Sequence, residues 1–186
     1  MRGRAFKVAL LGGSFLALAL YALLRAPPSP VWVEVVGPER VLQLSLAELK
    51  RWPTLEREGS YQNRFGNWQG RARYRGVLLS ELVRAAVGEA GFEEVVVIGA
   101  DGYRASFTPA RIEDLEYPVV LAFSRNGQEP PAWEDGPQIA VLPEDGGVSN
   151  AEYEAESAGA FWVKQVVRIE IVSQGARTPP QEGGSG

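Results

Sequence analysis

The feature that most constrains this chain is an uninterrupted apolar run at residues 8–24, with Arg2, Arg4 and Lys7 before it and Arg25 after it. The run has no polar face, so it is a poor candidate for a core helix of a soluble domain. As a helix rising ~1.5 Å per residue it would be about 25 Å long. Ala5 and Phe6 can extend it toward the ~30 Å of a bilayer core. Bases preceding such a segment stay on the cytoplasmic side, which puts the rest of the chain outside the cytoplasm, on the periplasmic or cell-surface side. Two readings remain open for residues 1–25, a cleaved signal peptide and an uncleaved anchor. A small-x-small cleavage site is missing around Tyr21 to Arg25, which favours the anchor.

Residues 26–30 contain Pro27, Pro28 and Pro30 and read as a stiff spacer. Residues 31–172 then form one domain of ordinary globular size. Residues 173–186 are polar and rich in Gly and Pro, and are expected to be disordered.

Charge and composition remove whole classes of chemistry. Four of the 19 bases lie in the first 25 residues and no acid does, so the remainder sets 15 bases against 23 acids. Phosphate backbones need clustered bases, so nucleic acid is not an expected partner. Cysteine and histidine are both absent. Without them a chain cannot form disulfides, build the usual zinc or iron–sulfur sites, or run Ser-His or Cys-His catalysis. Acidic turns around Glu134-Asp135 and from Asp145 to Glu156 leave a calcium loop conceivable, but EF-hand spacing is missing. No phosphate-loop, dinucleotide or nucleophile-elbow motif occurs.

Local patterns indicate a mixed α+β domain of short strands and small helices. Residues 31–36 and 41–44 read as two strands around Gly37-Pro38. Ser45-Leu46-Ala47-Glu48 has the form of a capping box, opening a short helix that Pro53 ends. Residues 54–74 show no clear period and read as a long ordered loop. Residues 77–87 have helical spacing with Gly88 as the stop. Residues 95–98 and 103–107 read as a hairpin, and Thr108-Pro109 as the start of a short helix. Residues 119–123 are a fully apolar strand leading to the turn signal Asn126-Gly127. Residues 139–142 and 166–172 complete the strands, the last with Val167, Ile169 and Ile171 on one face.

Several segments fall in the order seen in a known family. They are Leu46-Ala47-Glu48-Leu49 with Trp52-Pro53; Asn67-Trp68-Gln69-Gly70; residues 74–79 leading into a helix; Asp101-Gly102-Tyr103; Leu121-Ala122-Phe123 with Asn126-Gly127; and residues 159–164 with Val167-Arg168-Ile169-Glu170. In this order the chain resembles the sulfite-oxidase-type, molybdopterin-dependent oxidoreductase domain over most of residues 31–172. The resemblance implies a compact α+β fold with a pterin-cofactor cleft, in which one protein cysteine helps hold molybdenum. The corresponding stretch here, Ser60 to Gly66, has no thiol. The departure falls on the chemistry, not the scaffold, and a fold does not carry its function with it.

Around this stretch the residues allow two readings. Arg64, Arg71, Arg73 and Arg75 crowd together. Guanidinium groups suit a phosphate or carboxylate ligand, and in an acidic domain they equally suit Asp and Glu partners. Tyr61, Asn63, Phe65, Asn67 and Trp68 interleave aromatics and amides. They suit either a pocket that stacks a flat ring, or core plugs with amides serving loop backbone. By the resemblance, Lys164 falls where a lysine contacts the cofactor; otherwise it is an exposed strand residue. The candidate ligand cleft is therefore Tyr61, Asn63, Arg64, Asn67, Arg73 and Lys164, with no metal ligand and no assigned catalytic residue.

Three functions follow. The first is a membrane-anchored, non-catalytic module that binds a small anionic or heteroaromatic ligand or a partner protein. The second is a molybdopterin oxidoreductase whose metal is held without cysteine, Tyr61 or Ser60 supplying oxygen. The third is an assembly subunit of a membrane protein partner.

Overall fold

The structure, a computed structural model, describes residues 32–88 and 91–173. The chain divides into two units, Met1–Pro30 and Val31–Gly186, and the described residues all belong to the second. The apolar run, the spacer and the tail from residue 174 lie outside the described residues. Among those that are described, no helix is long and apolar enough to cross a membrane.

β1 (Val33–Val36) and β2 (Val41–Leu44) form the expected antiparallel hairpin. Val33 and Val35 point into the core and are fully buried. Ser45 caps α1 (Leu46–Leu49). Its hydroxyl accepts from the Glu48 amide at 3.3 Å, and Glu48 Oε2 accepts from the Ser45 amide at 2.7 Å. The Ser45 hydrogen bonds hold the Glu48 carboxyl below its ordinary range.

The expected long loop over residues 54–74 is instead two strands, β3 (Thr54–Gln62) and β4 (Trp68–Leu78). Their alternation is hidden because several inward positions are small and the outward ones are charged. Along β4, Ala72, Tyr74 and Gly76 are buried while Arg71, Arg73 and Arg75 are exposed. Diagonal ion pairs, Arg71 to Glu58 at 3.5 Å and Arg73 to Glu56 at 3.8 Å, decorate the outer face.

Val77 and Leu78, although spaced as in a helix, finish β4. α2 (Leu79–Val87) begins after them and ends at Gly88, whose φ is 61°. It buries Leu79, Leu82, Val83, Ala86 and Val87. The hairpin β5 (Phe92–Gly99) and β6 (Arg104–Phe107) turns through Asp101-Gly102, and Thr108 caps α3 (Pro109–Ile112). β7 (Val119–Arg125) is buried up to Arg125. At Asn126-Gly127 both residues have positive φ (50° and 78°), as a two-residue reversal of this kind requires. β8 (Gln138–Val141), a 3₁₀ turn (Ala158–Phe161) and β9 (Val166–Ser173) follow.

In β9 Ile169 and Ile171 are buried as expected, but Val167 is 44% exposed. The β5–β9 ladder slips between Ile98 and Gly99, so Val166 faces the core and Val167 is pushed out.

The strands make two sheets. A mixed five-stranded sheet runs β2-β1-β9-β5-β6, with β1 and β9 parallel, and an antiparallel four-stranded sheet runs β3-β4-β7-β8. α2 packs on β1, β4 and β7, so one helix closes the main core between the sheets. Fully burying a Leu, Ile or Val side chain contributes roughly 1.5–3 kcal/mol, and this core supplies most of the driving force. A second cluster gathers Tyr74, Trp133, Trp162, Leu142 and small residues of β4, β7 and β8.

Candidate functional site

The stretch expected to face a ligand is the end of the β3–β4 hairpin. The turn there is built around one side chain. Asn63 Oδ1 accepts from the amides of Phe65 at 2.9 Å and Asn67 at 3.0 Å. The Asn63 amide donates to the Asn67 carbonyl, and the Gly66 amide donates to the Asn63 carbonyl. The Asn63 amide group thus serves the backbone of its own turn.

Asn150 clasps the turn to the rest of the domain. Its amide donates to Gln62 Oε1 at 3.0 Å and its Nδ2 to the Asn63 carbonyl at 2.9 Å. Its Oδ1 accepts from the Ala158 amide at 2.8 Å. The first two bonds tie the 150–158 connection to the hairpin, and the third closes that connection on itself.

Tyr61 occupies the space beneath. Its ring lies 4.8 Å from that of Trp162, and Trp162 meets Tyr74 edge-on at 5.3 Å. Two glycines make room for it. A Cβ at Gly159 would stand 2.6 Å from Tyr61 Cδ2 and Cε2, and one at Gly70 would stand 2.7 Å from Cε1. Gly59 does the same for Trp162, whose Cη2 would lie 3.0 Å from an added Cβ. The Nε1 atoms of Trp133 and Trp162 are buried with no hydrogen-bond partner, so the indoles are held by packing. Tyr74 Oη donates to the Gly70 carbonyl at 2.6 Å, and burial pushes its hydroxyl up to about 12.

The structure thus brings Tyr61, Asn63, Arg64 and Asn67 to one hairpin end. Arg64 is exposed and its guanidinium lies 4.6 Å over the ring of Phe65, itself 72% exposed. Arg73 is not with them. It sits on the outer face of the sheet beside Glu56. Lys164 pairs with Asp135 at 3.1 Å, after the 3₁₀ turn.

Two arrangements were not singled out by sequence reasoning. The Arg111 guanidinium lies over both Tyr153, at 4.1 Å, and Phe161, at 4.6 Å, two rings that meet edge-on at 5.0 Å, and donates to the Tyr153 carbonyl at 2.9 Å. Burial pushes the Tyr153 hydroxyl up. The second is the Asn150 clasp. A lone Arg in a one-turn helix and a lone Asn in a polar connection carry no sequence signal for such roles.

The residues present do not fit a thiolate-held metal centre. The chain offers no sulfur donor of that kind and no imidazole. In the stretch that the sequence resemblance points to, Ser60 Oγ donates to the Gly146 carbonyl at 2.9 Å, and the half-buried Tyr61 ring packs on Trp162 between two glycines. Among the described residues no group of three or more acids is placed to hold a metal ion.

No family model matches the chain, and no curated protein matches it. Among solved structures it is similar to the sulfane dehydrogenase SoxCD from Paracoccus pantotrophus, at 20% identity and a TM-score of 0.55. That likeness covers 78% of this chain and 39% of the other, so the chain spans well under half of that protein. The likeness is one of α+β fold alone.

Proposed function

We propose that this domain is a non-catalytic binding module on a sulfite-oxidase-like scaffold. In this reading residues 8–24 hold it to a membrane with the domain on the extracytoplasmic side. The occupant it recognises is a partner protein rather than a redox cofactor.

One observation carries the reading. In the stretch that the sequence resemblance sets against the cofactor loop, Tyr61 and Asn63 are engaged by the domain itself. Tyr61 packs against Trp162 between Gly70 and Gly159, and Asn63 is engaged by its own turn. A site for a flat heteroaromatic ring needs an open face and free hydrogen-bonding edges. Here the Tyr61 ring is packed on Trp162 and the Asn63 oxygen is taken by two turn amides. Soft redox metals need thiolate or imidazole ligands, or an organic chelate held in a cleft.

The test is elemental analysis for molybdenum, with pterin fluorescence, on the full chain isolated from its own cell. Neither signal is expected above background. Stoichiometric molybdenum that turns over with an electron acceptor would overturn the reading.

A further inference from the structure

Trp68 opens β4 and stays 53% exposed, unusual for so large an apolar surface. Its position is nevertheless fixed. The ring edge rests on Gly147, where an added Cβ would stand 3.0 Å from Cζ3 and 3.1 Å from Cη2. The loop bearing Gly147 is itself pinned. Ser60 Oγ donates to the Gly146 carbonyl, the Val148 amide donates to the Ser60 carbonyl at 2.9 Å, and the Gln62 amide donates to the Val148 carbonyl at 3.0 Å.

Between this loop and the hairpin runs a groove of about 660 Å³. Trp68 forms part of its wall, and Glu58, Asp145 and Glu152 lie along it. Among the described residues Arg71 is the only base lining it. It is 83% exposed and pairs with Glu58 across 3.5 Å. Asp145 accepts from the Gly147 amide, and Glu152 accepts from the Ser149 hydroxyl and amide; among the described residues neither is paired with a base. The groove therefore combines an aromatic face with unneutralised carboxylates. An indole face and carboxylates both attract cations. The acids are not gathered as metal ligands among the described residues, so they suit an extended chain of charges better than a compact ion.

We propose that this groove docks an extended basic segment of a partner protein. One Lys or Arg side chain lies on Trp68, and its neighbours reach Asp145 and Glu152. The proposal rests on the partner-binding reading above and names the chemistry of the partner. The acidic balance of the chain outside its first 25 residues favours approach of such a segment.

The test uses the full chain in a non-ionic detergent and a fluorescein-labelled peptide, Gly-Lys-Gly-Lys-Gly-Lys-Gly, with its Glu-for-Lys counterpart as control. Fluorescence anisotropy should show binding of the Lys peptide only, weakening as salt rises. Trp68→Ala should weaken it roughly five- to tenfold. Asp145→Asn combined with Glu152→Gln should weaken it by a similar factor and flatten the salt dependence. All three positions lie at the surface, and thermal melting of each variant confirms that the fold is retained. Failure of the Lys peptide to bind, equal binding of both peptides, or variants that bind like the parent would overturn the proposal. So would self-association of the chain that Trp68→Ala abolishes, which assigns the groove to a second copy. Molybdenum found in the same preparation would sink the reading of the previous subsection while leaving the peptide result to stand.

Discussion

The ring of Tyr61 lies 4.8 Å from that of Trp162, tilted by 43°, and a glycine on each side of Tyr61 leaves no room for a Cβ. This arrangement fills the space beneath the hairpin end, in the stretch where the sequence resemblance implies a cofactor. Gly159→Ala should therefore act as a wedge against Tyr61, because backbone on one side and a packed indole on the other leave the ring little room to yield. Overpacking of this kind costs about 1–3 kcal/mol. Denaturant unfolding should show that loss. The double variant Gly159→Ala with Tyr61→Ala should recover part of it; if the double variant is no better than additive, the two residues do not meet.

Asn63→Ala should free the Phe65 and Asn67 amides, which its Oδ1 now engages. Because the turn is exposed, water takes up part of the loss, and the cost is about 1 kcal/mol. Hydrogen exchange should speed up at those two amides and stay unchanged in β7. Asn63→Asp keeps the acceptor and should largely restore protection. Equal exchange in all three proteins would contradict the role assigned to this side chain.

Arg111→Lys should destabilise the domain although it keeps the charge. An ammonium cannot cover both Tyr153 and Phe161 while also donating to the Tyr153 carbonyl as the planar guanidinium does. The expected loss is about 1 kcal/mol in chemical denaturation. A Lys variant as stable as the parent would show that charge alone suffices.

Much of the fold is legible in the sequence where local chemistry is strong. The Ser45–Glu48 box, the Thr108 cap, the Asn126-Gly127 reversal and the apolar strand from Val119 all appear where the residues indicate. The β3–β4 hairpin was not legible. Its inward side includes Gly59, Ala72 and Gly76, which carry no apolar signal, and its outward side is Arg and Glu. Val167 was misassigned because a ladder irregularity shifts the face, and such a slip leaves no mark on the alternation itself. The candidate site was legible as a neighbourhood only. Arg73 follows the strand's period to the outer face, and that period could be applied only once the stretch was known to be a strand.

Tyr74 provides a pH test. Burial raises its hydroxyl to about 12 from an ordinary value of 10.0, so the fold favours the neutral phenol. A raised value gives a contribution that is complete below pH 10 and fades as pH climbs through 12. Stability should therefore fall between pH 10 and 12, and Tyr74→Phe should be less sensitive over that interval. Tyrosinate absorbance should show one late-titrating group missing from the variant. An identical alkaline profile in both proteins would contradict the assignment.

The most direct measurement of the central claim is native mass spectrometry of the full chain, isolated under non-denaturing conditions from the cell that makes it. The expected spectrum shows the mass of the polypeptide with no pterin adduct and no molybdenum. A dominant species heavier by one metal-bearing pterin, lost only on denaturation, would contradict the account.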